Sequence, residues 1–219
     1  MKIKTFIINL SERTDRRKSV ESQFQSREEF TVEFVNAFRH EVGAVGLNQT
    51  LFYIFTELVK PEDDYILVCE DDHFFTDDYN QEALFRSIET AKRLNADVLL
   101  GGVSWFSFAV QVTNSLFWID KFNGLQCTVF FRTFFDRLID CFRNTKGNAD
   151  IKISNLSTGI YLMYPFVSIQ KEFGYSDVTS KNAIEGYVEG IFKHSLNRLG
   201  NLVQVNKYYN RKFRLDEEK

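Results

Sequence analysis

Glu70, Asp71 and Asp72 stand in a row, and the residues just before them, Tyr65 to Cys69, form a short continuous apolar run. Such a run reads as a central strand of a parallel sheet, buried on both faces. Carboxylates at the end of a buried strand destabilise one another's charge unless a cation lies between them. In open α/β sheets ligands bind beyond the carboxyl ends of the strands, which is where this triplet falls. Hard cations such as Mg2+ or Mn2+ take oxygen ligands and leave positions for phosphate oxygens. The plain alternative is a solvated strand-to-helix turn. His73, next in line, reads as a loop residue whose position could add a ligand.

A second group follows the first strand, in I-I-N-L-S-E-R-T-D-R-R. Asn9 falls at that strand's carboxyl end, and Arg13 and Arg16 lie one helical turn apart. Guanidiniums there can bind phosphate in bidentate fashion. A charged surface helix with Glu12 and Asp15 pairing the arginines explains the same residues. The row D-D-H-F-F-T lacks the Asp-x-Asp-x-Thr order of a haloacid-dehalogenase-type phosphohydrolase. No G-x-x-x-x-G-K-[ST] occurs, which excludes a P-loop nucleotidase, and no G-x-G-x-x-G follows the first strand. A nucleotide-sugar transferase, in which a short acidic motif holds a divalent cation against a diphosphate, is the common solution left.

The elements that must position these groups are readable in order. Lys2 to Asn9 is a first strand, and Ser11 is the expected N-cap of a helix over roughly Glu12 to Gln25. Thr31 to Asn36 alternates as a strand. Leu47, Leu51, Ile54, Phe55 and Leu58 share one face of a helix from Gly46 to Lys60, ended by Pro61. A helix from about Asp78 to Leu94 follows the acidic turn, with Leu84, Ile88 and Ala91 inward, and Asp97 to Leu100 is a further strand. The order β-α-β-α-β-α-β predicts a parallel sheet with helices on both faces and right-handed crossovers.

The second half is mixed. Ser107 to Val112 and Leu116 to Phe122 predict a hairpin about Asn114-Ser115. Cys127 to Phe131 and Ile160 to Tyr164 predict strands. Phe134, Phe135, Leu138, Ile139 and Phe142 mark one helix, and Ile184 to Leu199 a late one. One domain of 219 residues is the simplest organisation, with a nucleotide-binding half at about 1–102, an acceptor half at about 103–205 and a basic tail at 206–219.

Composition narrows the classes. The chain holds 23 Phe against two Pro and two Met, so rings fill the core and some are available as a stacking surface. Trp105, Phe106 and Trp118 are candidates for that surface, with core packing the plainer fate. A net charge of −3 without a concentrated basic face argues against nucleic acid. Cys69, Cys127 and Cys141 are odd in number, widely spaced and without metal-ligand spacing, which fits a reducing compartment. The N-terminal apolar run is too short for a signal peptide and no run reaches transmembrane length, so the expected location is cytoplasmic.

Seven segments in order resemble glycosyltransferase family 25, the lipooligosaccharide galactosyltransferase family, over most of residues 3–178. I-N-L-S-E-R-T-D-R resembles its opening, I-N-L-D-x-R-x-D-R, and I-L-V-C-E-D-D-H its L-x-L-E-D-D. The stretch from Ala37 to Thr50 resembles the segment before its second helix, and L-L-G-G-V-S its strand ending in Leu-Gly. Q-C-T-V-F-F-R-T-F-F-D-R-L, G-N-A-D-I-K-I and Y-P-F-V-S-I-Q-K-E-F-G-Y-S-D-V resemble three later segments. The family's G-C-x-x-S-H becomes G46-L-N-Q-T-L, without Cys, Ser or His, and the opening motif's first Asp is Ser11.

The resemblance implies a GT-A-type, Rossmann-like α/β fold: a mixed, largely parallel sheet flanked by helices. It implies transfer of a sugar, often galactose from UDP-galactose, with inversion, to a glycan or glycolipid acceptor in surface polysaccharide biosynthesis. Mn2+ or Mg2+ is the implied cofactor, with Asp72 and Asp71 as its ligands and Glu70 serving metal and nucleotide. Asn9, Arg13, Arg16, Gln170, Ser176 and Asp177 are implied to line the donor or acceptor pocket. Asp150 matches the family's late aspartate and is the implied base for the acceptor hydroxyl; an N-terminal helix cap is its plain role. A glycolipid acceptor implies peripheral contact at a membrane's inner face, for which the tail from Lys207 to Arg214 is suited. The lost Ser-His pair leaves a non-catalytic binding relative as the alternative.

Overall fold

The computed structural model describes residues 2–175 and 184–217, with side chains described through residue 210. The fold is mixed α/β, an eight-stranded sheet flanked by helices. The chain opens with β1 (Ile3–Asn9), α1 (Thr14–Phe24), β2 (Phe30–Asn36) and α2 (Gly43–Tyr53). The last turn of this second helix widens to π geometry over Ile54–Leu58. Then come β3 (Tyr65–Glu70), β4 (His73–Phe75), α3 (Gln81–Arg93) and β5 (Val98–Leu100). The two short strands β6 (Trp105–Phe106) and β9 (Phe122–Asn123) pair with each other. They extend the hairpin of β7 (Ala109–Gln111) and β8 (Leu116–Ile119), which turns at Asn114-Ser115 as expected. The chain ends with β10 (Cys127–Phe131), α4 (Phe135–Arg143), α5 (Ala149–Leu156), β11 (Ile160–Met163), β12 (Ser168–Gln170) and α6 (Tyr187–Glu217).

The strand order is β2-β1-β3-β10-β5-β11-β8-β7. β1 pairs parallel with β2 and β3, and β5 with β11. β10 enters antiparallel between β3 and β5, so both halves of the chain share one sheet. Only β10 and β8 run against the other strands of this sheet.

Strand alternation divides the core in two. Tyr65, Leu67 and Cys69 of β3 pack with Val20 and Phe24 of α1 and Ile88 of α3. Ile66 and Val68 pack on the other face with Leu51, Leu138 and Phe192 from α2, α4 and α6. Burying a Phe is worth roughly 1.5–3 kcal/mol, and nine of the Phe side chains rank among the largest fully buried ones.

Two local expectations are corrected. Ser11 does not cap α1: its hydroxyl donates to Glu12, and the cap position is Arg13, without a side-chain cap bond. The chain first closes a turn from the Arg13 amide to the Leu10 carbonyl, which delays the helix. His73 is no loop residue, because β4 pairs antiparallel with β12. Its strand character comes from pairing with β12, far along the chain, which a local pattern does not show.

Candidate functional site

The carboxyl ends of β1 and β3 open on a cleft of about 1670 Å3. Because Ile8 and Glu70 are register partners, Asn9 runs alongside Asp71. Asn9 is buried and its Nδ2 donates to Asp71 Oδ2 at 3.0 Å. Arg16 Nη1 donates to Asp71 Oδ1 at 3.0 Å, and Arg13 Nη1 lies 3.8 Å from Oδ2. Arg16 also donates to the Tyr175 carbonyl at 2.8 Å and packs against the rings of Phe173 and Tyr175. Asp71 is thus held on both oxygens by the chain itself.

Asp72 is different. Its Oδ2 lies 3.5 Å from Arg16 Nη1, while Oδ1 is buried and has no hydrogen-bond partner. Its backbone is fixed where its carbonyl accepts from the Lys171 amide at 2.7 Å. Burial, and then the Asp71 charge, raise its carboxyl to about 6 against the pull of Arg16 and Arg13. Burial likewise pushes Glu70 well above the ordinary carboxylate range, with Asp72, Asp71 and Asp150 adding to the rise.

Asp150 arrives in the first turn of α5. Its Oδ1 accepts from the Ile151 amide at 2.8 Å and its Oδ2 from the Gly124 amide at 3.4 Å. Burial raises it, against those backbone bonds. Its side chain therefore does not cap the helix from the N-cap position, which belongs to Asn148. Glu70, Asp71, Asp72 and Asp150 meet Arg13 and Arg16 on this cleft. Carboxylates outnumber guanidiniums there, and Asp72 Oδ1 is an acceptor fit to take a cation.

Of the other expected residues, Gln170 lines the cleft from β12. Ser176 and Asp177 lie outside the described residues. Trp105 is 46% exposed on the cleft wall, whereas Phe106 is core and the Trp118 indole donates to the Thr158 carbonyl. Leu51, where the resembled segment has His, is buried in the core and does not line the cleft. Thr50, where it has Ser, takes the Phe38 amide and so holds the cleft loop.

Sequence reasoning missed the face of α6 with Tyr187, Ile191 and His194, and gave no part to most of the loop Phe38 to Glu41, which also lines the cleft. The signal was faint: the glycine at Gly46, where a Cβ would stand 2.3 Å from the Phe38 carbonyl oxygen. Sequence spacing also gave no sign that two of the cysteines meet. Cys69 and Cys127 are register partners on neighbouring strands, and both meet His73 behind the acidic turn.

No family model matches the chain, and no curated protein matches it. Among solved structures it is similar to an apo UDP-glucose pyrophosphorylase at 12% identity and TM-score 0.47, over 96% of this chain and 82% of that one. It is similar to a UDP-glucose pyrophosphorylase complexed with UDP-glucose at 10% identity and TM-score 0.49, over 96% and 100%. A nucleoside-diphosphate-sugar pyrophosphorylase from Vibrio cholerae RC9 matches at 12% identity and TM-score 0.38, over 88% and 81%. At such scores these likenesses assign no activity.

Proposed function

We propose that the chain is a metal-dependent inverting glycosyltransferase that moves a sugar from a UDP-sugar to a glycan or glycolipid acceptor. The observation that carries the reading is the convergence on one cleft of Glu70 at the end of β3, Asp71 and Asp72 in the turn after it, and Asp150 from α5, each of Glu70, Asp72 and Asp150 raised by burial. The ordered motifs resembling glycosyltransferase family 25 support it. The cleft exceeds the roughly 300–1000 Å3 of a common small-molecule pocket, leaving room for donor and acceptor together.

Asp72, with Glu70 beside it, would hold Mn2+ or Mg2+. When bound, the cation neutralises charge on the departing UDP. Asp71 stays fixed by Asn9 and Arg16 and sets the angle of the turn. Arg13 is on the cleft wall and would face the diphosphate. Asp150 takes the proton of the acceptor hydroxyl, and a raised carboxyl is the stronger base for it. Trp105 offers its exposed ring to the acceptor sugar. Gln170, Ser176 and Asp177 complete the pocket by the resemblance. Among the described residues no helix is long and apolar enough to cross a membrane. A glycolipid acceptor would be met at a membrane surface, where Lys207, Tyr208 and Tyr209 stand exposed on α6.

Thermal unfolding with UDP and Mn2+ tests this. At a hundredfold excess over Kd, binding contributes about 2.7 kcal/mol, a rise of roughly 5–10 °C. Asp72→Ala removes the shift; Asp150→Asn keeps the shift and loses sugar transfer. No shift with any nucleoside diphosphate overturns the proposal. A shift without donor turnover by the native chain assigns it to a non-catalytic binding protein instead.

A further inference from the structure

The reverse face of the acidic turn holds a second cluster. Cys69 ends the inward row of β3, and Cys127 is its partner across the ladder on β10. His73 opens β4, so Cys69 and His73 bracket Glu70, Asp71 and Asp72 in the order C-E-D-D-H. The ligand atoms of Cys69, His73 and Cys127 lie within 4.8 Å of one another, and all three residues are buried. Among the described residues this is the one group of His, Cys, Asp and Glu that converges so closely.

Two buried thiols alone would be ordinary core residues. The imidazole makes the difference. His73 is 1% exposed, and its Nδ1 shares a hydrogen bond with Ser168 Oγ at 2.7 Å. Its Nε2 is buried with no hydrogen-bond partner. A buried polar nitrogen left unpaired costs about 1–3 kcal/mol and calls for a partner. One ring nitrogen oriented by a hydroxyl and the other presented bare is how a histidine is prepared to bind a metal.

We propose that Cys69, His73 and Cys127 form a site for a soft divalent cation of the Zn2+ class, which staples both ends of the acidic turn from behind. Thiolate and imidazole ligands select such a cation over Mg2+ or Mn2+. Two thiolates and a neutral imidazole give a loaded site without net charge, which an apolar core tolerates. Three protein ligands leave one of zinc's four positions to a small ligand. The cation would join β3, β4 and β10 at the point where the turn leaves the sheet. This site stands apart from the carboxylates of the cleft, in place and in ligand chemistry.

Co2+ alone, titrated into the reduced full-length chain, is the probe. The expected result is a thiolate-to-cobalt charge-transfer band in the near ultraviolet, saturating at one ion per chain and erased by Zn2+. Carboxylates bind Co2+ without such a band, so the cleft cannot mimic it. Cys127→Ser removes the band, and Cys141→Ser, a free cysteine outside the cluster, keeps it. Ser168→Ala leaves the three ligands in place and weakens Co2+ binding about 10–100-fold. That variant and the native titration decide the matter where Cys127→Ser does not fold. Absence of the band in the reduced, folded native chain overturns the proposal. So does a band with unchanged affinity in Ser168→Ala, or a Cys69–Cys127 disulfide that takes up no Co2+ after reduction.

Discussion

Arg16 shows how far a residue's environment can depart from its sequence neighbourhood. Its spacing from Arg13 suggested a phosphate clamp, yet Arg16 is 5% exposed and its guanidinium lies against Asp71 and Asp72. Spacing places a guanidinium on a helix face but does not say which anion it meets. The carboxylates were recognisable because acids directly after a buried strand are out of place. Their arginine partner was not, because the contact spans 55 residues. Removing one partner of a buried ion pair strands the other's charge. Arg16→Met is therefore expected to lower unfolding stability by about 3–5 kcal/mol, measured by urea titration. Arg16→Lys keeps the charge but loses the fork, and falls between. A variant within about 0.5 kcal/mol of the native chain would show that the pair contributes little.

At the scale of elements, the readable parts were those with a period. α3 buries Leu84, Ile88 and Ala91 as its spacing predicts, and the hairpin forms where Asn114-Ser115 marks it. β4 and β12 were unreadable because each is a strand only through its pairing with the other, and α6 runs on through most of what reads as a tail. Its start is held by an unexpected group. The Glu172 carboxylate accepts from the Gly186 and Val188 amides, which holds it below the ordinary 4.5. A depressed carboxyl stabilises the fold above its ordinary value and loses that effect as pH falls through the lowered one. Glu172→Gln is expected to melt below the native chain at neutral pH, with the gap closing in acid. A gap independent of pH would refute the charged cap. Gly46→Ala tests the cleft loop, since its Cβ meets backbone rather than a yielding side chain. It is expected to cost about 1–3 kcal/mol and to weaken UDP binding, read by calorimetry.

For the whole molecule, strands could be found in the sequence but not their neighbours. An α/β order through residue 100 suggested a nucleotide-binding half that ends near 102. Strand adjacency is decided by contacts across long stretches of chain, and here β10 comes back to separate β3 from β5. Residues 1–102 alone would leave β3 with an open edge and β5 with no partner. They would also leave Ile66 and Val68 with α2 alone to cover them, without the packing that α4 and α6 add. An open edge and a partly uncovered apolar face are what a sheet cannot keep in water. The full chain is thus expected to unfold in one cooperative transition, and a 1–102 fragment to show none by far-ultraviolet circular dichroism. Mixing it with a 103–219 fragment should restore a transition, because the missing central strand is then supplied in trans. A 1–102 fragment that melts cooperatively and binds UDP by itself would mean that the nucleotide site is an autonomous domain, and that β10 only leans against it.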